Sequence, residues 1–134
     1  MNQNTLSNLS LLSGRTLLAW MFVSAGVSKI GGYAGTVGYM ESMGVPGMLL
    51  PAVIALEIGA GLAILAGIQA RIAAVLLAGF TLMAALLFHA DFSAPMQSIL
   101  FTKNLAITGG LMLLAAHGPG DWTFSAIAAR RVAA

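Results

Sequence analysis

The chain has 134 residues, the length of one domain, and is 59% hydrophobic and only 7% charged, against about 25% charged in soluble domains. Mean hydropathy is +0.93, and the net charge of +2 rests on six scattered basic residues, which excludes a nucleic-acid surface. The absence of cysteine excludes a disulfide framework, a thiolate metal site and a dithiol relay. Such a composition specifies an integral membrane protein, and the chain is expected to be all-α.

Residues 1–10 are polar and uncharged and read as an N-terminal tail. With no basic region ahead of the first apolar run, a cleaved signal peptide is not expected. Leu11 to Ile30 reads as the first span, with Arg15 near its start and Lys29 near its end. These two cations lie about 21 Å apart along a helix and nearly on one face. Gly31-Gly32 breaks the helix. Tyr33 to Gly47 is too short and too polar to span, but Tyr33, Val37, Met40 and Met43 recur at helical steps. A short interfacial or re-entrant helix is predicted there. Val45-Pro46-Gly47 is a turn signal, and Pro51 suits the first turn of the second span, 49–68.

That second span, LLPAVIALEIGAGLAILAGI, matches the roughly 20 residues needed to cross a hydrocarbon core. The third span is read over 71–89, from Arg71 to His89, and the fourth over 97–117, with Ser93 as a candidate cap and Pro95 as a first-turn residue. Gly59, Ala63, Gly109 and Gly110 are expected where helices pack closely. Residues 122–134 form a C-terminal tail with Arg130-Arg131. The whole reads as an up-down four-helix bundle over 11–121. Arg15, Arg71, Arg130 and Arg131 collect on the side of both termini, against Lys29 and Lys103 opposite, so both termini are expected in the cytoplasm. Arg15 and Arg71 are expected to snorkel to lipid phosphates, and His117 to be interfacial.

Glu57 lies inside the second span, where an unanswered charge costs roughly 2.5–3.5 kcal/mol by insertion measurements. Lys29 and His89 close the first and third spans on the same side. Lys103 lies about 12 Å past Pro95 in the fourth. At similar depth, Lys103 is the expected partner of Glu57, with Lys29, His89 and Asn104 completing a polar wall. A carboxylate facing a lysine and a histidine can pass protons, and the same groups can hydrogen-bond the carbonyls of a quinone. On this reading Glu57, His89 and Lys103 are candidate catalytic residues, and Lys29 and Asn104 candidate ligand contacts. No metal, haem or flavin signature is visible. The alternative is a non-catalytic scaffold or assembly factor whose Glu57–Lys103–His89 cluster is a structural ion-pair network. A small transporter is harder to support, because the four spans show no inverted repeat.

Taken together, these residues resemble the DoxX family. The matching elements run in order: Arg15; Ser24-Ala25-Gly26-Val27-Ser28-Lys29; Met43-Gly44-Val45-Pro46; Glu57 with Gly61; Gly67-Ile68-Gln69-Ala70-Arg71; His89; Lys103-Asn104-Leu105; and Gly118-Pro119-Gly120. The resemblance covers about residues 11–121. It implies a four-helix domain of the bacterial inner membrane, in some relatives a subunit of a quinone-linked oxidoreductase. Implied partners are the lipid bilayer, a quinone, a membrane or periplasmic redox protein, and further copies of the chain. The polar positions that the family implies coincide with Glu57, His89 and Lys103.

Overall fold

The computed structural model describes residues 2–133. Its helices are α1 (Gln3–Gly31), α2 (Tyr33–Ser42), α3 (Leu50–Ala66), α4 (Ala70–Phe88), α5 (Pro95–His117) and α6 (Phe124–Val132), with a single 3-10 turn at Gly47–Leu49 before α3. The helices α1, α3 (extended by the 3-10 turn), α4 and α5 are long and apolar enough to cross a membrane. The chain is an integral membrane four-helix bundle.

The stretch 1–10, expected as a tail, is helical from Gln3 onward. The Asn2 side chain caps the helix by accepting from the Thr5 backbone N–H at 2.9 Å, and no glycine or proline interrupts the following turns. Asn8 then clips this first part to the far end of the chain. Its side chain donates to Asp121 Oδ2 at 3.0 Å and accepts from the Asp121 backbone N–H at 2.9 Å. The tail 122–134 is likewise ordered as α6, whose first turn is capped by Thr123 accepting from the Ala126 N–H.

Gly31-Gly32 separates α1 from α2, and Gly67 in the left-handed conformation (φ 72°) ends α3. Three residues therefore suffice to turn the chain into α4. Pro51 and Pro95 occupy first turns, as their missing N–H groups favour. Ala94, not Ser93, holds the cap position of α5. Ser93 instead donates its N–H and hydroxyl to Asp91 Oδ1, and these bonds hold the Asp91 carboxyl below its usual range.

In space α1 packs on α3, α3 on α4 and α4 on α5, while α1 and α5 barely touch. The shared core is small and aliphatic: Ala19 and Phe22 of α1, Ile64 of α3, Ala74 and Leu77 of α4, and Leu111 of α5. Alanine and glycine at the contacts let backbones approach, which in lipid replaces the hydrophobic effect as the packing force. The glycines that serve this are not the expected ones. A Cβ at Gly26 would lie 2.6 Å from Ile58 Cγ1, and one at Gly61 would lie 2.9 Å from Val23 Cγ2. Gly59 and Gly109 face open space, and at Gly110 the nearest atom is 4.0 Å away.

The α1–α3 seam therefore depends on Gly26 and Gly61. Gly26→Val and Gly61→Val should each lower the melting temperature in detergent by an amount corresponding to about 1–3 kcal/mol of overpacking. Gly59→Val should leave it near the wild-type value.

Candidate functional site

The close approach at Gly26 fixes the polar contact one turn further on. A Cβ at Gly26 would lie 3.4 Å from Glu57 Cβ, and Lys29, three residues along α1, shares the same face. Its Nζ reaches both Glu57 carboxylate oxygens at 2.9 Å. The Glu57 side chain is 4% exposed and that of Lys29 28%, so the pair sits between α1 and α3 with the lysine toward the helix end.

The partner of Glu57 is thus Lys29 and not Lys103. Equal depth does not make neighbours: α3 and α5 sit across the diagonal of the bundle, whereas α1 packs directly on α3. The space between them is a cavity of about 450 Å³, and Glu57, Lys29, His89, Lys103 and Asn104 all line it. The five residues singled out from sequence share one chamber, but among the described residues hydrogen bonds join only Lys29 and Glu57 to each other.

α2 and the turn after it close this end of the bundle. Gly47 packs so tightly that a Cβ there would meet Val37 and Glu41 of α2. Tyr39 of α2 stacks on Phe88 of α4 with ring centroids 5.6 Å apart, and both line the cavity. His89 Nδ1 is 2.7 Å from Gln97 Oε1. Because the amide oxygen only accepts, Nδ1 carries the proton in this arrangement and Nε2 of the neutral ring is an acceptor. Thr81 of α4 is 4% exposed, and its Oγ1 is buried without a hydrogen-bond partner. It lines the same cavity. Lys103 and Asn104 side chains likewise make no hydrogen bond among the described residues.

Sequence reading passed over Thr81, Tyr39 and Gln97. Threonine in an apolar helix bonds its own backbone as a rule, and nothing in the sequence separates Thr81 from Thr108, which does so to the Asn104 carbonyl at 2.8 Å.

The arginines at the opposite end also depart from expectation. Arg15 is 3% exposed and does not snorkel; it donates to the carbonyls of Pro119 and Trp122. Arg71 donates to the carbonyls of Ala115, Ala116 and His117, the orphan acceptors at the C-terminus of α5. Arg15 thus fastens the 118–123 turn to the bundle, and Arg71 fastens the end of α5 to α4. His117 is exposed, and its ring nitrogen Nδ1 lies 3.0 Å from the Leu113 carbonyl oxygen.

Residues 10–90 match the DoxX family model. The chain is 52% identical over 118 residues to the Escherichia coli protein named inner membrane protein YqjF, covering 88% of this chain and 91% of the relative. It is 38% identical over 118 residues to inner membrane protein YphA of the same organism, covering 82% and 84%. No solved structure matches the chain.

Removing Lys29 leaves a buried carboxylate without its cation, whereas removing Lys103 breaks no hydrogen bond or ion pair among the described residues. Lys29→Met should destabilise the protein in detergent by on the order of 3 kcal/mol. The double variant Lys29→Met with Glu57→Gln should recover most of that, and Lys103→Met should stay within about 0.5 kcal/mol of wild type. An equal loss in both single variants would contradict the assignment of the pair.

Proposed function

The chain belongs to the DoxX family, and on that premise we propose that it is a quinone-binding subunit of a membrane oxidoreductase system in the bacterial inner membrane. One observation carries the reading: a 450 Å³ intramembrane cavity presents polar groups that the fold itself does not use. That volume lies in the range of small-molecule sites, which are mostly apolar with a few placed polar groups. A buried hydroxyl without a partner costs about 1–3 kcal/mol, so Thr81 Oγ1 is best accounted for by a ligand or water within reach.

The donor and acceptor set fits a quinone ring. Lys103, Asn104 and Thr81 donate to carbonyl oxygens. His89 Nε2, with Nδ1 committed to Gln97, accepts from a hydroxyl once the ring is reduced, so its role is the reverse of the donor one that position alone suggests. The stacked Tyr39 and Phe88 give a flat aromatic wall. A bound quinone supplies a two-electron, two-proton couple. The protein's part is to orient the ring, exclude water and take up or release a proton at Glu57, with Lys29 balancing the carboxylate's charge while the proton is away. Electrons come from a redox protein partner. With Arg15, Arg71, Arg130 and Arg131 at the end that carries both termini, that end faces the cytoplasm and α2 the periplasm.

A scaffold reading has one observation in its favour: Lys29 occupies both oxygens of Glu57, so the pair is complete without a ligand. Binding separates the two. Purified protein in nanodiscs should bind a ubiquinone analogue saturably. Lys103→Met and Thr81→Val should each weaken binding about fivefold, the equivalent of ~1 kcal/mol per hydrogen bond. Absence of saturable binding in the wild type leaves the scaffold.

A further inference from the structure

The seam that α1 and α5 leave open is a second concavity, about 680 Å³, that runs along the membrane-spanning part of both helices. Its walls are apolar over most of their length: Leu11, Leu17 and Leu18 from α1, Leu113 and Leu114 from α5. Gly14 and Gly110 keep it wide, since a Cβ at Gly14 would meet nothing within 4 Å and one at Gly110 only Leu18 at 4.0 Å. Met21 and Ile107 line both this groove and the cavity beside Glu57, so the two spaces adjoin at those residues.

Resting on the quinone reading of the cavity, we infer that the α1–α5 groove holds the polyisoprenoid tail of the bound molecule, with Met21 and Ile107 at the junction of head and tail. From Met21 to Ser10 the groove follows α1 for about 16 Å, half the thickness of a hydrocarbon core. A tail laid there lies mostly against apolar side chains, with Ser10, Arg15 and His117 the polar residues of its lining. Because the groove opens sideways, the ligand enters from the bilayer and not through α2. The groove residues beyond Met21 and Ile107 line only the groove and so act on affinity through tail length.

The test compares two probes with the same dimethoxy-methyl-benzoquinone ring, one without a tail and one with a diprenyl tail, with affinities expressed per mole of lipid. The wild type should bind the tailed probe at least tenfold more tightly. Gly110→Phe, which fills the groove, should abolish that preference and leave the tailless probe unchanged. Leu17→Trp, at a site that is 71% exposed and so tolerant of bulk, is the second plug should Gly110→Phe fail to fold. Equal affinity of the wild type for both probes, or an unchanged preference in a folded plugged variant, overturns the tail groove while the cavity reading stands. Failure of the wild type to bind either probe overturns both.

Discussion

Burying a carboxylate between two membrane-spanning helices is the constraint on which the rest of the structure depends. Glu57 lies about two turns inside α3 with its side chain only 4% exposed, so its counter-charge has to arrive from a neighbour in direct contact. α1 packs on α3 more extensively than α4 does, and it comes close beside Glu57 because Gly26 lacks the side chain that would hold the helices apart. Lys29 follows one turn later and closes on both oxygens. A glycine, an acid and a lysine thus form one device. The glycine sets the helix separation, and the separation sets the length of the bond.

The opposite end of the bundle meets a related problem with different chemistry. Where α5 stops, its last carbonyls have no intrahelical partners, and the chain still has to turn toward α6. Arg71 reaches from α4 to three of those carbonyls, and Arg15 reaches from α1 to the turn beyond. Guanidinium suits this task because several donors on one plane can serve several acceptors while the charge stays put. The two ends are therefore unlike: one is locked by arginines on backbone oxygens, the other holds an ion pair beside open volume. Rigidity at the first end leaves the second free to be a chamber.

The architecture was legible in the sequence because hydropathy and punctuation agree. Long apolar runs, Gly31-Gly32, the Gly67 turn and the two prolines mark the spans within a few residues, except at the start of α1, which lies at Gln3 and not at Leu11. Membership of one polar chamber was legible as well, from helix direction and depth alone. Pairing within it was not. Depth says how far along its axis a residue sits but not which helix stands next to which, so on sequence alone Lys103, at a depth similar to that of Glu57, is favoured over Lys29 as its partner. Arginines near helix starts followed a statistical habit of snorkelling, whereas Arg15 turns inward because the 118–123 turn, distant in sequence, brings carbonyls to it. The glycines repeat the lesson. Gly59 and Gly61 are two residues apart and differ only in which face of α3 they occupy.

Depth and pairing together have a further consequence, in the electric field of an energised membrane. Lys29 and Glu57 form a neutral pair, so a transmembrane voltage exerts no net force on it as it stands. Neutrality ends when the carboxylate gains a proton. Counted from the start of α3, Glu57 lies about 10 Å deep, roughly a third of a 30 Å hydrocarbon core. A proton delivered there from the near face crosses about that fraction of the potential. At about 2.3 kcal/mol per elementary charge per 100 mV, the field then contributes on the order of 0.8 kcal/mol. The site is electrically silent at rest and voltage-coupled only while its charge changes.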